Sequence, residues 1–460
     1  MKVKLKKFIG DKTFYITVLT VAIPLMLQQL IISSVNLIDN LMVGQLGDYA
    51  IGAVGTVNRV YIIILYGING LVAACSIYIA QYFGAKNKGK MQESFLISLL
   101  ISFLLVVCFT IVALVYPKEI VMYFTKDEQI LTYGAQYLKI VIFSFLPNVF
   151  SLCIASAIRS IGKTKAPLII SIIAVIVNTI LNYILIFGHF GFPSLGVKGA
   201  ALATVIARFL ELIMYVVVVN QEEFPRVFHF VKITKELLTK ILLKAIPLFL
   251  NEIIWTFGIA TLFKFYSTRG SWATSGYSIA LTIADIFFIL FSGMAIATTV
   301  LVSQKLGANH LEQAKENAYK LVGFGIFLAL VFGIGMFASS YILPYIYNVT
   351  EETMSVAVSI VRIMGCFYWI YMATAQFYFI LRAGGDMKSA LLMDSGFMWL
   401  FNIPLIYMIA YYTNINIILM YVMSQMTDVI KLLYSYFLVK KEKWLVNLTV
   451  NDKEDILHGS

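Results

Sequence analysis

Residues Ala22–Ile31 read AIPLMLQQLI, and residues Ala245–Ile254 read AIPLFLNEII. The numbering offset between them is 223 (245 − 22). The same offset returns further along. Gly84-Ala85 in QYFGAK answers Gly307-Ala308 in SQKLGA, and Arg159, Gly162 and Lys165 in RSIGKTK answer Arg382, Gly385 and Lys388 in RAGGDMK. Three matched blocks with no net insertion make the chain one module used twice. Each module opens on an apolar helix that carries a proline, Pro24 or Pro247.

The modules belong in a membrane. Apolar residues are 60% of the 460-residue chain and charged residues only 13%, about half the charge of a typical soluble domain. A spanning helix needs roughly 20 mostly apolar residues, and about twelve such stretches follow one another with short polar breaks, so helices rather than a barrel are expected. The spans fall at 14–38, 54–80, 94–116, 132–157, 166–188, 198–220, 241–265, 276–302, 318–346, 355–380, 390–412 and 415–439. The expected fold is an all-α integral membrane protein, with twelve transmembrane helices in two six-helix lobes.

The net charge of +11 reads as loop chemistry and not as a nucleic-acid patch, because the basic residues sit at membrane edges without interleaved exposed aromatics. Lys2, Lys4, Lys6, Lys7 and Lys12 crowd the start. Every second loop is also basic, with Lys86, Lys88 and Lys90, then Arg159, Lys163 and Lys165, then Arg226, Lys232, Lys235 and Lys240. This asymmetry places both termini and the central linker in the cytoplasm. The start lacks a small-residue cleavage site and reads as a retained arm. The expected organisation is a cytoplasmic arm at 1–13, an N-lobe at 14–220, a linker at 221–240 read as an amphipathic surface helix, a C-lobe at 241–439 and a cytoplasmic tail at 440–460. With an even number of spans per half, the repeats are parallel, related by an axis along the membrane normal, as in a known class of carriers that bind substrate between lobes and rock to give alternating access.

Four cysteines lie singly in apolar runs and four histidines are scattered through loops and the tail, which implies neither disulfides nor a zinc site. No cofactor is expected. Chemistry must then rest on ionisable groups inside the spans, where each costs several kcal/mol unless paired or hydrated. Arg208 and Glu211, and Asp428 and Lys431, stand three apart on a helix and are expected to pair. Asp394 lies one turn into its span, where hydration is cheap. Asp39 has no basic neighbour in sequence and sits among Ser33, Ser34, Asn36 and Asn40 at the close of the first span. Asn178 and Asn182, four apart, project from one face of the fifth span, and Thr204 begins a polar stripe on the sixth. A carboxylate, two amide carbonyls and a hydroxyl make an all-oxygen set that suits Na+, or a proton with bound water. In the second half, Asn251-Glu252 stands where the first has Gln28-Gln29, exchanging an amide for an acid. Asp285, beside Phe287 and Phe288, reads as buried and unpaired. Met26, Trp255, Phe288 and Tyr371 lie on spans expected near the cleft and suit flat apolar cations through stacking and cation–π contact.

With these residues assembled, the chain resembles the multidrug and toxic compound extrusion (MATE) family, in its NorM-like branch, within the multidrug/oligosaccharidyl-lipid/polysaccharide flippase superfamily. The resemblance spans nearly the whole length. It is carried by AIPLMLQQLI with IDNLMVGQLG, by QYFGAKNKGK and SQKLGANHLEQAK, by RSIGKTKAPL, and by NTILNYILIFG with FPSLGVKGAALAT. It implies a V-shaped pair of lobes in a bacterial cytoplasmic membrane and export of cationic amphipathic compounds in exchange for H+ or Na+. On matching positions it implies a first-lobe cation site at Asp39, Asn178, Asn182 and Thr204, with a second-lobe carboxylate at Glu252. The expected partners are a small cationic drug-like molecule and the bilayer, with no nucleic acid, and the expected state is a monomer. One departure stands out: residues 355–381 carry no Asp or Glu, although many relatives of this branch place an acid in the tenth span, and Tyr371 falls about there. The alternative within the superfamily is a lipid-linked precursor flippase, which would need a cationic cavity for a pyrophosphate; Arg59 and Lys264 are the unpaired cations to watch. An enzyme would need a clustered nucleophile, metal ligands or a phosphate loop, none of which the sequence contains.

Overall fold

The structure, a computed structural model, describes residues 7–125, 127–219, 226–227 and 229–450. Lys2, Lys4, Lys6, residues 221–225 of the linker, and the tail beyond residue 450 lie outside them. Twelve long helices follow one another among the described residues, and no strand occurs there. They are α1 Lys12–Gly44, α2 Asp48–Gly84, α3 Lys88–Val115, α4 Glu128–Ser160, α5 Lys165–Phe187, α6 Val197–Val219, α7 Lys235–Ser267, α8 Ser271–Gly307, α9 Leu311–Ser339, α10 Glu351–Ala383, α11 Met387–Tyr412 and α12 Ile417–Lys440. Eleven are long and apolar enough to cross a membrane by length and composition. A helix meets that demand because every backbone polar group is bonded within the segment, where lipid offers no partner.

Most helices overrun the apolar runs that announce them, and several of their polar first turns are fixed by caps. Asn87 accepts a hydrogen bond from the Lys90 backbone at 3.0 Å to start α3. Thr350 starts α10, with Glu351 and Glu352 in the first turn where the helix dipole favours acids. Two boundaries run the other way. The ninth span, expected to reach residue 346, ends at Ser339, and a separate short helix at Leu343–Ile346 begins with Pro344 in its first turn. The described linker residues between 226 and 234 are not helical, contrary to the expected surface helix. They are clamped instead, since Gln92 Nε2 donates to the carbonyls of Arg226 at 2.6 Å and His229 at 2.9 Å. Glu93 accepts from the Thr234 backbone at 2.8 Å.

The repeat has a backbone cause. Gly162 and Gly385, equivalent by the offset of 223, both turn with positive φ, at +87° and +79°, a conformation that costs a side chain but not glycine. Lys86 and Asn309, equivalent again, also adopt positive φ, at 57° and 59°. Two of the three repeated blocks, QYFGAK/SQKLGA and RSIGKTK/RAGGDMK, therefore mark the turns that join successive helices.

By contacts the chain divides into two compact units. The N unit comprises Leu27–Phe83 and Asn87–Phe249, and the C unit Met1–Met26, Gly84–Lys86 and Leu250–Ser460. The divisions inside α1 and α7 fall after Met26 and after Phe249, positions that the repeat makes equivalent, each two residues past the helix proline. Within the N unit α5 packs on α6 and α3 on α4. In the C unit α8, α9, α10 and α12 surround a core of Met336, Tyr368, Met372 and Ile380. There α9 and α10 come very close. A Cβ on Gly333 would meet the Gly365 carbonyl at 2.6 Å, and one on Gly365 would meet that of Gly333 at 2.8 Å, the small-residue packing of membrane helices.

Candidate functional site

In the N unit, α1, α5 and α6 bring the expected polar residues to one place. Asp39 stands more than a turn inside α1, which runs on to Gly44, rather than at the close of the helix. Asn182 Nδ2 donates to Asp39 Oδ1 at 2.8 Å and lies 3.4 Å from Asn178 Oδ1, so one amide joins both. Asn182 is 2% exposed and its own carbonyl oxygen has no partner. A buried acceptor left unsatisfied costs about 1–3 kcal/mol and marks a place where a cation or a donor fits. Thr204 donates to the Ala200 carbonyl at 3.0 Å, which leaves its oxygen lone pairs free to accept. The buried Tyr137 hydroxyl on α4 stands within electrostatic reach of Thr204 and Asp39. Tyr137 belongs to the site although nothing in the sequence sets it apart from the other tyrosines.

Arg208 and Glu211 form the expected pair, Nη1–Oε2 2.6 Å, one turn along α6 from Thr204. The positive field of Arg208 reaches Asp39, but the bonded partner of Asp39 is an amide. The second half lacks this arrangement. Leu262, Phe401 and Leu405 stand at the positions equivalent to Asp39, Asn178 and Asn182, and only Thr427 repeats Thr204.

The C unit builds a different polar cluster. Glu252 Oε1 on α7 lies 3.6 Å from Arg382 Nη1 on α10. Beside it, Asn251 Nδ2 donates to the Tyr378 hydroxyl at 2.9 Å and to Asp394 Oδ2 at 3.1 Å. Asp394 Oδ1 takes Lys431 Nζ at 3.0 Å. Lys431 thus pairs across helices with Asp394, and not with its neighbour Asp428 as the three-residue spacing suggested. The cause is in α11, which passes through π-helical turns at Leu392–Gly396 and Met398–Asn402. Widened turns of this kind recur at functional sites. Ser395 in the first of them donates to Asn251 Oδ1 at 2.7 Å, so Asn251 is held from both sides.

Asp285 is exposed on α8 rather than buried. Ala284, the residue before it, is fully buried instead, and one residue along a helix turns a side chain by about 100°. The aromatic and methionine residues expected to meet substrate are all in the C unit. Phe288 stacks on Tyr368 with ring centroids 5.8 Å apart and meets Tyr371 edge-on at 6.3 Å. Tyr371 donates to Gln425, Met26 lies over Gly293, and Trp255 is half-buried against the same core.

A duplicated bundle of membrane helices with a carboxylate–amide site in one half and ion-paired carboxylates in the other defines a carrier. Comparison with known proteins narrows this. The model of the MatE family matches residues 24–184 and again residues 247–408, its two copies starting at the two helix prolines, Pro24 and Pro247. The probable multidrug resistance protein YoeA of Bacillus subtilis is 25% identical over 442 residues, covering 93% of this chain and 94% of its own. The probable multidrug resistance protein NorM of Oceanobacillus iheyensis is 25% identical over 408 residues, covering 86% and 90%. Among solved structures, a mutant of the Vibrio cholerae MATE transporter VcmN superposes with a TM-score of 0.86 at 16% identity, over 94% of this chain and 98% of that one. An outward-facing multidrug resistance MATE transporter of the MOP superfamily gives 0.83 at 18% identity, over 95% and 98%. The chain belongs to the MatE family. It is a multi-span membrane transporter of the multidrug efflux type, not an enzyme.

Proposed function

We propose that this protein is a secondary active antiporter of the bacterial cytoplasmic membrane, exporting cationic amphipathic compounds in exchange for H+ or Na+ by alternating access of its two lobes. In this reading both termini are cytoplasmic, residues 14–220 form the N-lobe and 241–439 the C-lobe, and the protein works as a monomer. Asp39, Asn178, Asn182 and Thr204 bind the driving ion. Glu252 and Asp285 contribute carboxylates in the second half, and Met26, Trp255, Phe288 and Tyr371 contact the exported compound. The observation that carries the reading is Asp39, joined to the Asn182 amide at 2.8 Å beside an Asn182 carbonyl oxygen that no donor satisfies. Such a carboxylate can gain and lose a small cation without breaking an ion pair, as coupling requires. A small cation would find oxygen ligands there, and the aromatic edges of Phe288 and Tyr371 suit a flat organic cation.

The test is uptake of a fluorescent cationic dye, ethidium, into inverted membrane vesicles, with pH and Na+ gradients imposed separately. One gradient should drive uptake, and Asp39→Asn should abolish the driven component. If neither gradient moves dye, the antiport reading falls; if Asp39→Asn transports at the unmodified rate, the ion-site assignment falls.

A further inference from the structure

The charges clustered in the C unit do not balance. Glu252 on α7, Asp394 on α11 and Asp428 on α12 supply three carboxyl groups, against two cations, Arg382 on α10 and Lys431 on α12. Arg382 serves Glu252 at 3.6 Å and Lys431 serves Asp394 at 3.0 Å. Asp428 is left over. It lies one helical turn before Lys431 and within electrostatic reach of both Lys431 and Asp394, but it makes no ion pair among the described residues. The remaining titratable neighbours are tyrosines, Tyr371 and Tyr378 from α10, Tyr266 from α7, Tyr421 from α12 and Tyr277 from α8, and none of these supplies a positive charge.

The repeat shows that this imbalance belongs to the second half. Arg159 and Arg208 of the first half answer Arg382 and Lys431, so the number of cations is the same. At the positions of Asp394 and Asp428 the first half has Ser171 and Val205, and Ser171 accepts a hydrogen bond from Gln28 at 2.6 Å just as Asp394 accepts one from Asn251. The second half has gained those two acids and a third, Glu252 in place of Gln29, and exchanged one, Glu211, for Tyr434, with no cation added.

We propose that Asp428 is a second proton-carrying group of this transporter, sharing the single ammonium of Lys431 with Asp394 so that the two carboxyls hold one proton between them. The proton comes from water to a carboxylate oxygen and returns to water, with no other bond made or broken. When Asp428 carries it, Lys431 stays with Asp394, the arrangement in the structure. When Asp394 carries it, Lys431 is released to Asp428, which the three-residue spacing on α12 puts in reach. The ligand is a proton and not a metal ion, because the Lys431 ammonium already sits 3.0 Å from Asp394 and would repel a second cation, whereas a proton is absorbed by one oxygen. The same argument separates this site from that of Asp39, where no ion pair stands in the way.

The inference takes its purpose from the antiport reading, but its test does not depend on it. Infrared pH-difference spectra of the full-length protein in lipid, with no drug present, report protonated carboxyl groups through their C=O stretch. The unmodified protein should show a carboxyl band that disappears on alkalisation. Asp428→Asn and Asp394→Asn should each remove it, since either variant leaves one carboxylate for one ammonium. Asp39→Asn should retain it, and Asp428→Glu should return it at a displaced frequency, which shows that the helix still folds. A band that survives Asp428→Asn or Asp394→Asn overturns the proposal. Dye that fails to follow any gradient would remove the antiport reading and leave this band in place.

Discussion

In the proposed mechanism Asp39 is the residue on which transport turns, and an amide rather than a base stands next to it. A hydrogen bond from an amide to a charged group contributes about 1.5–3 kcal/mol, enough to position a carboxylate without neutralising it. Asn182→Ala should therefore raise the ion concentration that half-saturates dye transport by about tenfold or more, while leaving dye binding in the absence of a gradient unchanged. An unchanged ion dependence would remove Asn182 from the site. Lys431 gives the opposite case, a cation held 3.0 Å from Asp394 in a half-buried setting. Taking away one member of such a pair costs about 3 kcal/mol, and taking away both costs much less. In thermal unfolding of the reconstituted protein, Lys431→Met should be markedly less stable than the double variant Lys431→Met with Asp394→Leu. Equal losses in the two would show that the pair is not holding the fold. Much of this scale could be read from the sequence: Asn178 and Asn182 share a face because they are four apart, and Arg208 meets Glu211 because they are three apart. What could not be read is anything that crosses between helices. Lys431 meets Asp394 37 residues away, Tyr137 reaches Thr204 from another helix, and Asp285 faces outward although its neighbours are apolar.

At the scale of elements, the helices were announced by their apolar runs but their ends were not, since caps such as Asn87 and Thr350 are polar and lie outside any hydropathy window. The places where the helices pass from one unit to the other can be inferred in part. A proline inside a helix removes a backbone hydrogen bond and clashes with the preceding turn, and both Pro24 and Pro247 stand two residues before a division between units. Pro247→Ala should restore a backbone hydrogen bond inside α7 and slow gradient-driven dye transport by about threefold or more, a size expected where a conformational step sets the rate. Dye affinity measured at equilibrium should stay as it is, and a transport rate equal to the unmodified one would deny the proline a part in the cycle. The α9–α10 contact is stricter. With the Gly333 and Gly365 carbonyls 2.6–2.8 Å from the Cβ each would otherwise carry, Gly365→Leu forces the two backbones apart. The variant should lose most folded protein by size-exclusion chromatography in mild detergent, whereas Gly55→Leu, which has nothing within 4 Å of its Cβ position, should not.

For the molecule as a whole, the internal repeat was the most legible feature, because it is a property of the sequence alone, and the fold follows from it. The halves nevertheless do not carry the same polar residues. Leu262 and Leu405 replace Asp39 and Asn182, and the second half substitutes ion pairs built on Arg382 and Lys431. We therefore propose that energy coupling belongs first to the N unit. The most direct test separates movement of dye from its coupling to an ion. In proteoliposomes loaded with unlabelled ethidium, Asp39→Asn should still exchange external radiolabelled ethidium down its own gradient, yet fail to accumulate it when a pH or Na+ gradient is imposed. Accumulation by Asp39→Asn as steep as that of the unmodified protein would contradict the central claim.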